Sequence, residues 1–204
     1  KGVSKQCSKK IIEQMEKSIC IINEKNIGFF CNIRYNNKNI PCLITSYEAI
    51  DELYITNNTS IEVKINEEIK KIEFEKINYF DKLYNIHIIV IKENKDNKIK
   101  FLDLDENVYE KDLVDKVYEK ESIYTFYYVP NKNTYVTYGI INYLNKSDLI
   151  ISCNIDSNSK CSPIFNLLNN KIIGIYNRKS KYYNKGIFLN FLIDEFINEN
   201  KYFK

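Results

Sequence analysis

Short runs of strand-favouring residues recur along most of the chain, each bounded by a turn signal, and they constrain its fold more than any other feature. Several alternate apolar with polar side chains, as residues 61–65 do, which is typical of a strand with one face in water. Asparagine-rich stretches at 36–39 and 57–59 separate the runs as turns. The predicted strands are 28–35, 40–45, 53–55, 61–65, 71–74 and 86–91, followed by 123–129, 134–144, 149–153, 163–168, 171–176 and 186–191.

This layout predicts a mainly β chain with two series of about six strands, a helix at each end, and sandwich or barrel architecture. Four apolar residues at helical spacing indicate the first helix: Ile11, Ile12, Met15 and Ile19. We expect Ser8 to cap that helix, and residues 192–197 to form the last one. The expected units are an N-terminal helix over 1–17, a first barrel over 18–100, a connection over 101–120, a second barrel over 121–191 and a C-terminal helix over 192–204.

Composition argues against several classes of function. Lys and Arg number 30 against 27 Asp and Glu, a net charge of +3, which is low for a dedicated nucleic-acid binder. The longest uninterrupted apolar runs, such as 88–91, have about four residues, whereas a membrane-spanning helix needs about 20. With one histidine and no cysteines at zinc-site spacing, we expect neither a metal nor a cofactor.

Two interpretations of the six cysteines stay open. They are Cys7, Cys20, Cys31, Cys42, Cys153 and Cys161. Three lie inside apolar strand patterns, which favours buried free thiols in a reducing compartment, cytoplasmic or otherwise intracellular. The alternative is a secreted chain with disulfides, which glycosylation patterns starting at Asn57, Asn58 and Asn145 support. Because the chain does not begin with Met, we expect a processed product or an excised domain.

Five segments follow one another in an order that carries a resemblance. They are GFFC at 28–31, LITSYEAI at 43–50, YNIHIIVI at 84–91, DSNSKCSPI at 156–164 and NNKIIGI at 169–175. In that order they resemble the early strand, the histidine loop, the aspartate strand, the nucleophile loop and the following hairpin of trypsin-like serine proteases. The resemblance runs from about residue 10 to 197 and implies two six-stranded antiparallel β-barrels of the chymotrypsin type, with short N- and C-terminal helices.

The chain departs from this family at the functional positions that the resemblance assigns. Glu48 stands at the histidine position, Asn85 at the aspartate position and Lys160 at the nucleophile position. Asn158 and Cys161 replace two glycines of the nucleophile loop, the first of which helps to shape the oxyanion hole. All three positions of the catalytic triad are therefore changed.

Each replacement removes a chemical capacity that the reaction needs. A carboxylate such as Glu48 titrates at about pH 4 and is a poor general base near neutrality. Asn85 carries no charge with which to stabilise an imidazolium, and Lys160 presents an ammonium where an alkoxide should form. Because the members of a triad act as a unit, losing all three costs many orders of magnitude in rate. We therefore expect a catalytically inactive homologue.

Three arrangements would instead give a peptidase with a displaced or unconventional nucleophile. His87 could act as a displaced base, because it lies two residues beyond Asn85 and a strand would put both side chains on one face. Cys161 could be a shifted nucleophile. Ser159 or Ser162 could react with Lys160 as the base, as in serine–lysine hydrolases.

The expected function is a non-catalytic protein-binding or structural module. By resemblance, one strand forms an edge that would accept an extended protein or peptide segment in the groove between the barrels. It consists of Ile173, Gly174, Ile175, Tyr176 and Asn177. We also expect Glu48 and Lys160 to meet across the groove as an ion pair, the alternative being that both are solvated. Self-assembly as a structural subunit is the other non-catalytic role, and no nucleic-acid partner is expected.

Overall fold

The computed structural model describes residues 3–93, 98–110, 118–129, 133–145, 147–155 and 159–200. Within these ranges the helices are α1 (Lys5–Ser18), α2 (Glu52–Asn57) and α3 (Leu189–Glu199), with a 3₁₀ helix over Glu106–Tyr109. The strands are β1 (Ile19–Ile22), β2 (Asn26–Tyr35), β3 (Lys38–Thr45), β4 (Ser60–Ile65), β5 (Glu68–Asp81), β6 (Ile86–Ile91), β7 (Leu102–Asp103), β8 (Ser122–Tyr128), β9 (Thr134–Asn145), β10 (Asp148–Ile151), β11 (Pro163–Asn166), β12 (Ile172–Lys179) and β13 (Asn184–Phe188).

Two six-stranded antiparallel barrels contain most of these strands. The first has the strand order β1-β4-β5-β6-β3-β2 and closes where β2 pairs with β1, while β7 adds to β2 in parallel. The second has the order β10-β13-β12-β11-β8-β9 and closes where β9 pairs with β10. Closure pairs the edge strands of each sheet with one another. The predicted mainly β architecture, with two barrels and a helix at each end, is confirmed.

Burial along the strands explains why the alternating patterns predicted them. In β4, Ile61, Val63 and Ile65 are buried, and the residues between them are not. Their side chains point to one face because successive residues of a strand face opposite sides. All six residues of β6 are buried instead, which fits its nearly continuous apolar sequence.

Helix α1 docks on the second barrel although it precedes the first in sequence. The Gln14 side chain donates a hydrogen bond to the Asn170 carbonyl at 2.9 Å and accepts one from the Tyr124 hydroxyl at 2.6 Å. The helix begins one turn earlier than predicted, because the Ser4 hydroxyl, and not that of Ser8, caps it by accepting from an N–H of the first turn. The first helix therefore contributes to the packing of both barrels.

The connection between the barrels is also anchored at both ends. Strand β7 pairs with β2 of the first barrel, and Leu104 forms a bridge to Ile172 of the second. The N–H of Asp105 donates to the Ile172 carbonyl at 2.8 Å, and its carboxylate accepts from the buried Tyr118 hydroxyl at 2.7 Å. These contacts tie the connection to the core.

One predicted strand is wrong. Residues 53–55 carry a β-branched and an aromatic side chain, which favour strands, yet they lie in α2. The Asp51 carboxylate caps this helix by accepting from the Tyr54 N–H at 2.8 Å. This capping bond, together with burial of Ile55 on one side, outweighs the local strand preference.

All six cysteines are free thiols, and all but Cys7 are buried. Burial raises the pKa of Cys153 to about 12, so this thiol stays protonated near neutrality. In the ranges that the structure describes, no helix is long and apolar enough to cross a membrane.

Candidate functional site

Asn85 organises the first-barrel side of the candidate site. It ends the turn between β5 and β6 and has a φ of 56°, a left-handed conformation that Asn tolerates better than most residues. Its carbonyl accepts a hydrogen bond from the Tyr47 N–H at 3.3 Å, and its Oδ1 accepts one from the Glu48 N–H at 3.0 Å. Asn85 thereby fixes the loop that carries Glu48 through its backbone and its side chain.

The loop itself is a single helical turn after β3. The Ser46 carbonyl accepts from the N–H groups of Ala49 at 3.0 Å and of Ile50 at 3.3 Å. Ala49 and Ile50 are buried, whereas Glu48 is exposed. The turn therefore presents Glu48 to solvent and anchors itself with its apolar residues.

The second-barrel side is a β-bulge just before β11. The Ser162 N–H donates to the Ser159 carbonyl at 3.2 Å, the Cys161 N–H donates to the Tyr176 carbonyl at 2.8 Å, and the Tyr176 N–H donates to the Ser162 carbonyl at 2.8 Å. Cys161 and Ser162 thus lie opposite the single residue Tyr176, as in a G1 bulge. The first residue of such a bulge has a positive φ and is usually glycine. Cys161 occupies that position with a φ of 67°. The backbone keeps the conformation that favours glycine although the side chain has changed.

The two sides meet at Cys161. Its thiol donates a weak hydrogen bond to the Asn85 carbonyl at 3.5 Å. Burial raises the pKa of Cys161 to about 12, while the Lys160 ammonium lowers it and the Glu48 carboxylate raises it further. The structure brings Glu48, Asn85, Lys160 and Cys161 together between the barrels, and Asn158 lies outside the described residues.

The expected ion pair between Glu48 and Lys160 is absent. Among the ion pairs of 4.0 Å or less in the described part of the chain, none joins these two residues. Both side chains are exposed, and a solvated pair gains too little to hold two flexible side chains together. The cleft therefore presents a carboxylate on one wall and an ammonium on the other.

His87 does not share a face with Asn85, because Asn85 lies in the turn before β6 and its left-handed φ breaks the strand alternation. The His87 ring is fully buried. Its Nδ1 lies 2.6 Å from the Ile50 carbonyl oxygen, and its Nε2 lies 3.0 Å from Oδ1 of Asn78. Burial lowers its pKa below the ordinary value, so the ring is neutral near pH 7. The chain's only histidine is a buried structural group.

The serines next to Lys160 are buried as well. The Ser159 hydroxyl accepts from the Tyr128 N–H at 3.1 Å, and the Ser162 hydroxyl donates to the Ser159 carbonyl at 2.8 Å. Both residues are fully buried. Their hydroxyls are directed to backbone groups and are not presented beside the exposed Lys160 side chain.

The predicted peptide edge on β12 is mostly paired on both sides. Gly174 pairs with Ile164 of β11 and with Phe188 of β13. The strand stays paired on both of its sides as far as Tyr176. Residues 173–176 are also buried. The edge can therefore begin only at Asn177, beyond the bulge. From there to Lys179, β12 pairs with β13, and no described residue pairs with its other side.

Asn177 also links the barrels. Its side-chain amide donates to the Tyr84 carbonyl at 2.9 Å, which joins β12 to the turn that ends at Asn85. The Tyr84 ring packs against Phe191 with ring centroids 5.3 Å apart. The open end of β12 is thus held against the first-barrel side of the cleft.

One feature of this region has no clear sequence signal. Tyr47 and Phe80 pack with centroids 5.2 Å apart, and the Lys82 ammonium lies 5.2 Å from each ring centroid. Next to them, Leu83 is 86% exposed. An aromatic shelf, defined here as Tyr47 and Phe80, therefore flanks Glu48. Only the folded chain brings these residues together, because more than thirty positions separate them in sequence.

In the described ranges, no group of three or more His, Cys, Asp or Glu side chains is placed to hold a metal ion. Among the described residues, the donors in the cleft are a carboxylate at Glu48, an amide at Asn85 and a protonated thiol at Cys161. A hard divalent cation prefers several oxygen ligands, and this set does not supply them.

Comparison with known proteins identifies the type of fold. No protein-family model matches the sequence, and no curated protein matches it. Among solved structures, the crystal structure of Deg5 is similar, with a TM-score of 0.64 over 98% of this chain and 99% of that chain, at 13% sequence identity. This chain has a chymotrypsin-like fold. At such low identity the likeness concerns the fold alone, so any activity has to be argued from the residues in the cleft.

Proposed function

We propose that this chain is a catalytically inactive module with a chymotrypsin-like fold, which binds an extended peptide or protein segment in the cleft between its barrels. The observation that carries the proposal is the state of His87. The chain has one histidine, and both of its ring nitrogens are engaged inside the first barrel. The cleft is therefore left without the imidazole base that this type of site uses.

The nucleophile candidates support the same conclusion. A serine or thiol attacks a carbonyl only when a base accepts its proton or when its own pKa is lowered. The Cys161 thiol has a raised pKa and is buried, and the hydroxyls of Ser159 and Ser162 are bonded to backbone groups. Lys160 is exposed but would form a stable amide with an acyl group, so turnover would stop.

Binding does not require these groups. The open side of β12 from Asn177 to Lys179 offers backbone N–H and C=O groups to which an extended segment can pair. The exposed Leu83 and the aromatic shelf lie across the cleft and offer apolar contact area. An extended partner would thus contact both barrels along one line.

The inactivity is tested by incubating the full chain with a fluorescently labelled unfolded protein, and separately with fluorophosphonate and iodoacetamide probes. We expect no cleavage and no stoichiometric labelling of the cleft residues, with the partly exposed Cys7 replaced by Ser in every chain so that it does not react with iodoacetamide. Lys160→Ala and Cys161→Ala serve as matched variants. Site-specific labelling of the original chain that either substitution abolishes would overturn the proposal and favour a peptidase with an unconventional nucleophile.

The binding site is tested by selecting a displayed library of random decapeptides on the full chain and mapping the best binder by two-dimensional NMR. We expect the largest amide shift changes at Asn177, Arg178 and Lys179 and in the turn at 82–85. Changes confined to the opposite side of the molecule, or no enrichment from the library, would contradict the proposal. Self-association at high concentration in size-exclusion chromatography would instead identify a second copy of the chain as the occupant.

A further inference from the structure

The second-barrel wall of the cleft has an unusual charge pattern. From Ser157 to Ile193 the sequence contains six basic residues and no acidic one, although the whole chain has a net charge of only +3. This stretch includes the bulge before β11, the open end of β12 and the β12–β13 hairpin. The positive charge of the chain is thus concentrated beside the proposed binding edge.

Two of these six cations are neutralised within the fold. Lys171 forms an ion pair with Glu106 at 2.8 Å, and Lys185 forms one with Asp148 at 2.6 Å. The other four are exposed, and no described carboxylate lies within 4.0 Å of any of them. We call them the basic rim: Lys160, Arg178, Lys179 and Lys181.

The backbone pairing places the positions of the basic rim near one end of β12. Cys161 and Ser162 both oppose Tyr176 in the bulge, so Lys160 lies beyond Tyr176, at the end of β12 where Asn177 and Arg178 follow. Consecutive residues of a strand are about 3.3 Å apart, so Arg178 and Lys179 lie within two to three residue steps of that bulge. Lys181 follows in the hairpin, where its ammonium lies 5.3 Å from the Tyr182 ring centroid.

We propose that the cleft selects an acidic extended peptide, whose backbone pairs with Asn177–Lys179 and whose carboxylates contact the basic rim. This inference rests on the proposed function and adds the chemical class of the partner. Within the described ranges, these cations have no ion-pair partner and the adjacent strand edge has no pairing strand, so the surface matches a segment that supplies backbone partners and negative side chains together.

An extended peptide fits the surface better than a nucleic acid does. Affinity for nucleic acid comes mainly from neutralising many phosphates, commonly about six to ten contacts. The rim offers four cations, and Glu48 on the facing wall repels any strand that is negatively charged along its whole length. A peptide can carry its carboxylates toward one wall only, because alternate side chains of a strand point to opposite sides.

The library selection described above supplies the first measurement. Enriched decapeptides should carry an excess of Asp and Glu, and replacing those residues by Asn and Gln should weaken binding roughly tenfold in fluorescence anisotropy. If the enriched peptides show no excess of Asp and Glu, and if the Asn and Gln versions bind with unchanged affinity, acidic selectivity is refuted. The proposed function is not affected by that result. Absence of any enrichment would contradict the proposed function itself.

Charge reversal then locates the contact. The double variant Arg178→Glu/Lys181→Glu should weaken binding of an acidic decapeptide by at least about tenfold, and more at low than at high salt. The control, Lys25→Glu/Lys38→Glu, changes net charge equally at two exposed positions of the first barrel and should alter affinity by less than about twofold. Equal losses in both variants would refute a localised rim.

Tighter binding of a single-stranded decanucleotide than of the acidic peptide would assign the surface to nucleic acid.

Discussion

The floor and the rim of the cleft use polar residues in opposite ways. The floor, which we define as Ser159, Cys161 and Ser162 together with His87 inside the first barrel, is buried, and each of its side chains has a hydrogen-bond partner inside the protein. The basic rim and Glu48 are exposed and free of ion pairs among the described residues. The difference indicates that the floor maintains the fold, whereas the rim is exposed to solvent and can contact a partner.

The largest loss of stability is expected at the floor residue whose side chain is most completely hydrogen-bonded, which is His87. Replacing His87 by Ala removes a buried ring and leaves the Ile50 carbonyl and the Asn78 amide without their partner, which should lower the free energy of unfolding by roughly 3 kcal/mol. Urea unfolding measures this loss. The control is Tyr182→Ala, which removes a larger but 82% exposed ring and should cost less than about 0.5 kcal/mol. Similar losses at both sites would contradict the distinction between floor and rim.

The next effect tests the backbone of the bulge. At Cys161 both Gly and Ala remove the thiol, but only Gly adopts the positive φ without strain, so Cys161→Gly should be more stable than Cys161→Ala by about 1 kcal/mol. Cys153 is also buried but does not have a positive φ, so the order should reverse there. Thermal or urea unfolding of the four variants decides the matter, and the same order at both sites would refute strain at Cys161.

A smaller effect appears in the pH dependence of stability. Because burial lowers the pKa of His87 in the folded state, the unfolded state binds more protons once the pH falls below about 6.5. The contribution of His87 to stability is therefore complete at neutral pH and declines as the pH falls from 6.5 toward the lower folded pKa. His87→Gln removes this titration. The difference in unfolding free energy between the original chain and this variant should shrink on acidification, and a difference that stays constant from pH 7.5 to 5 contradicts a buried, neutral ring.

The smallest effects belong to the rim. Glu48→Gln and Lys160→Ala should each change the free energy of unfolding by less than about 0.5 kcal/mol, because both side chains are solvated and unpaired. A loss of stability above about 1 kcal/mol for either variant would mean that the two groups contribute to the fold as a pair.

Much of the fold could be predicted because barrel strands bury alternate side chains. The strand at 61–65 is an example, and its alternation reports a face that is buried in the structure. Prediction failed where another effect interrupts the pattern. The sequence predicted a strand over 71–74 only, whereas β5 continues to Asp81. The prediction stopped early because a register shift between Phe74 and Asn78 breaks the alternation of apolar and polar side chains.

The candidate site was less accessible to sequence reasoning. The resemblance placed Glu48, Asn85 and Lys160, but the position of His87 depended on a strand continuing through Asn85, and that residue has a left-handed φ instead. The open edge at Asn177 depends on where the bulge ends the pairing of β12, which local sequence does not specify. Contacts across the barrels, such as Asn177 with Tyr84, require the tertiary fold.

The bulge at Cys161 has a consequence for protein engineering. The hydrogen bonds to Tyr176 already hold the chain in the shape that a glycine would take there. A designer who introduces serine at 160 and glycine at 161 would thus exchange side chains at a bulge whose backbone, over residues 159–162, already has the required conformation. The scaffold is a starting point on which the gain of each catalytic group can be measured one substitution at a time.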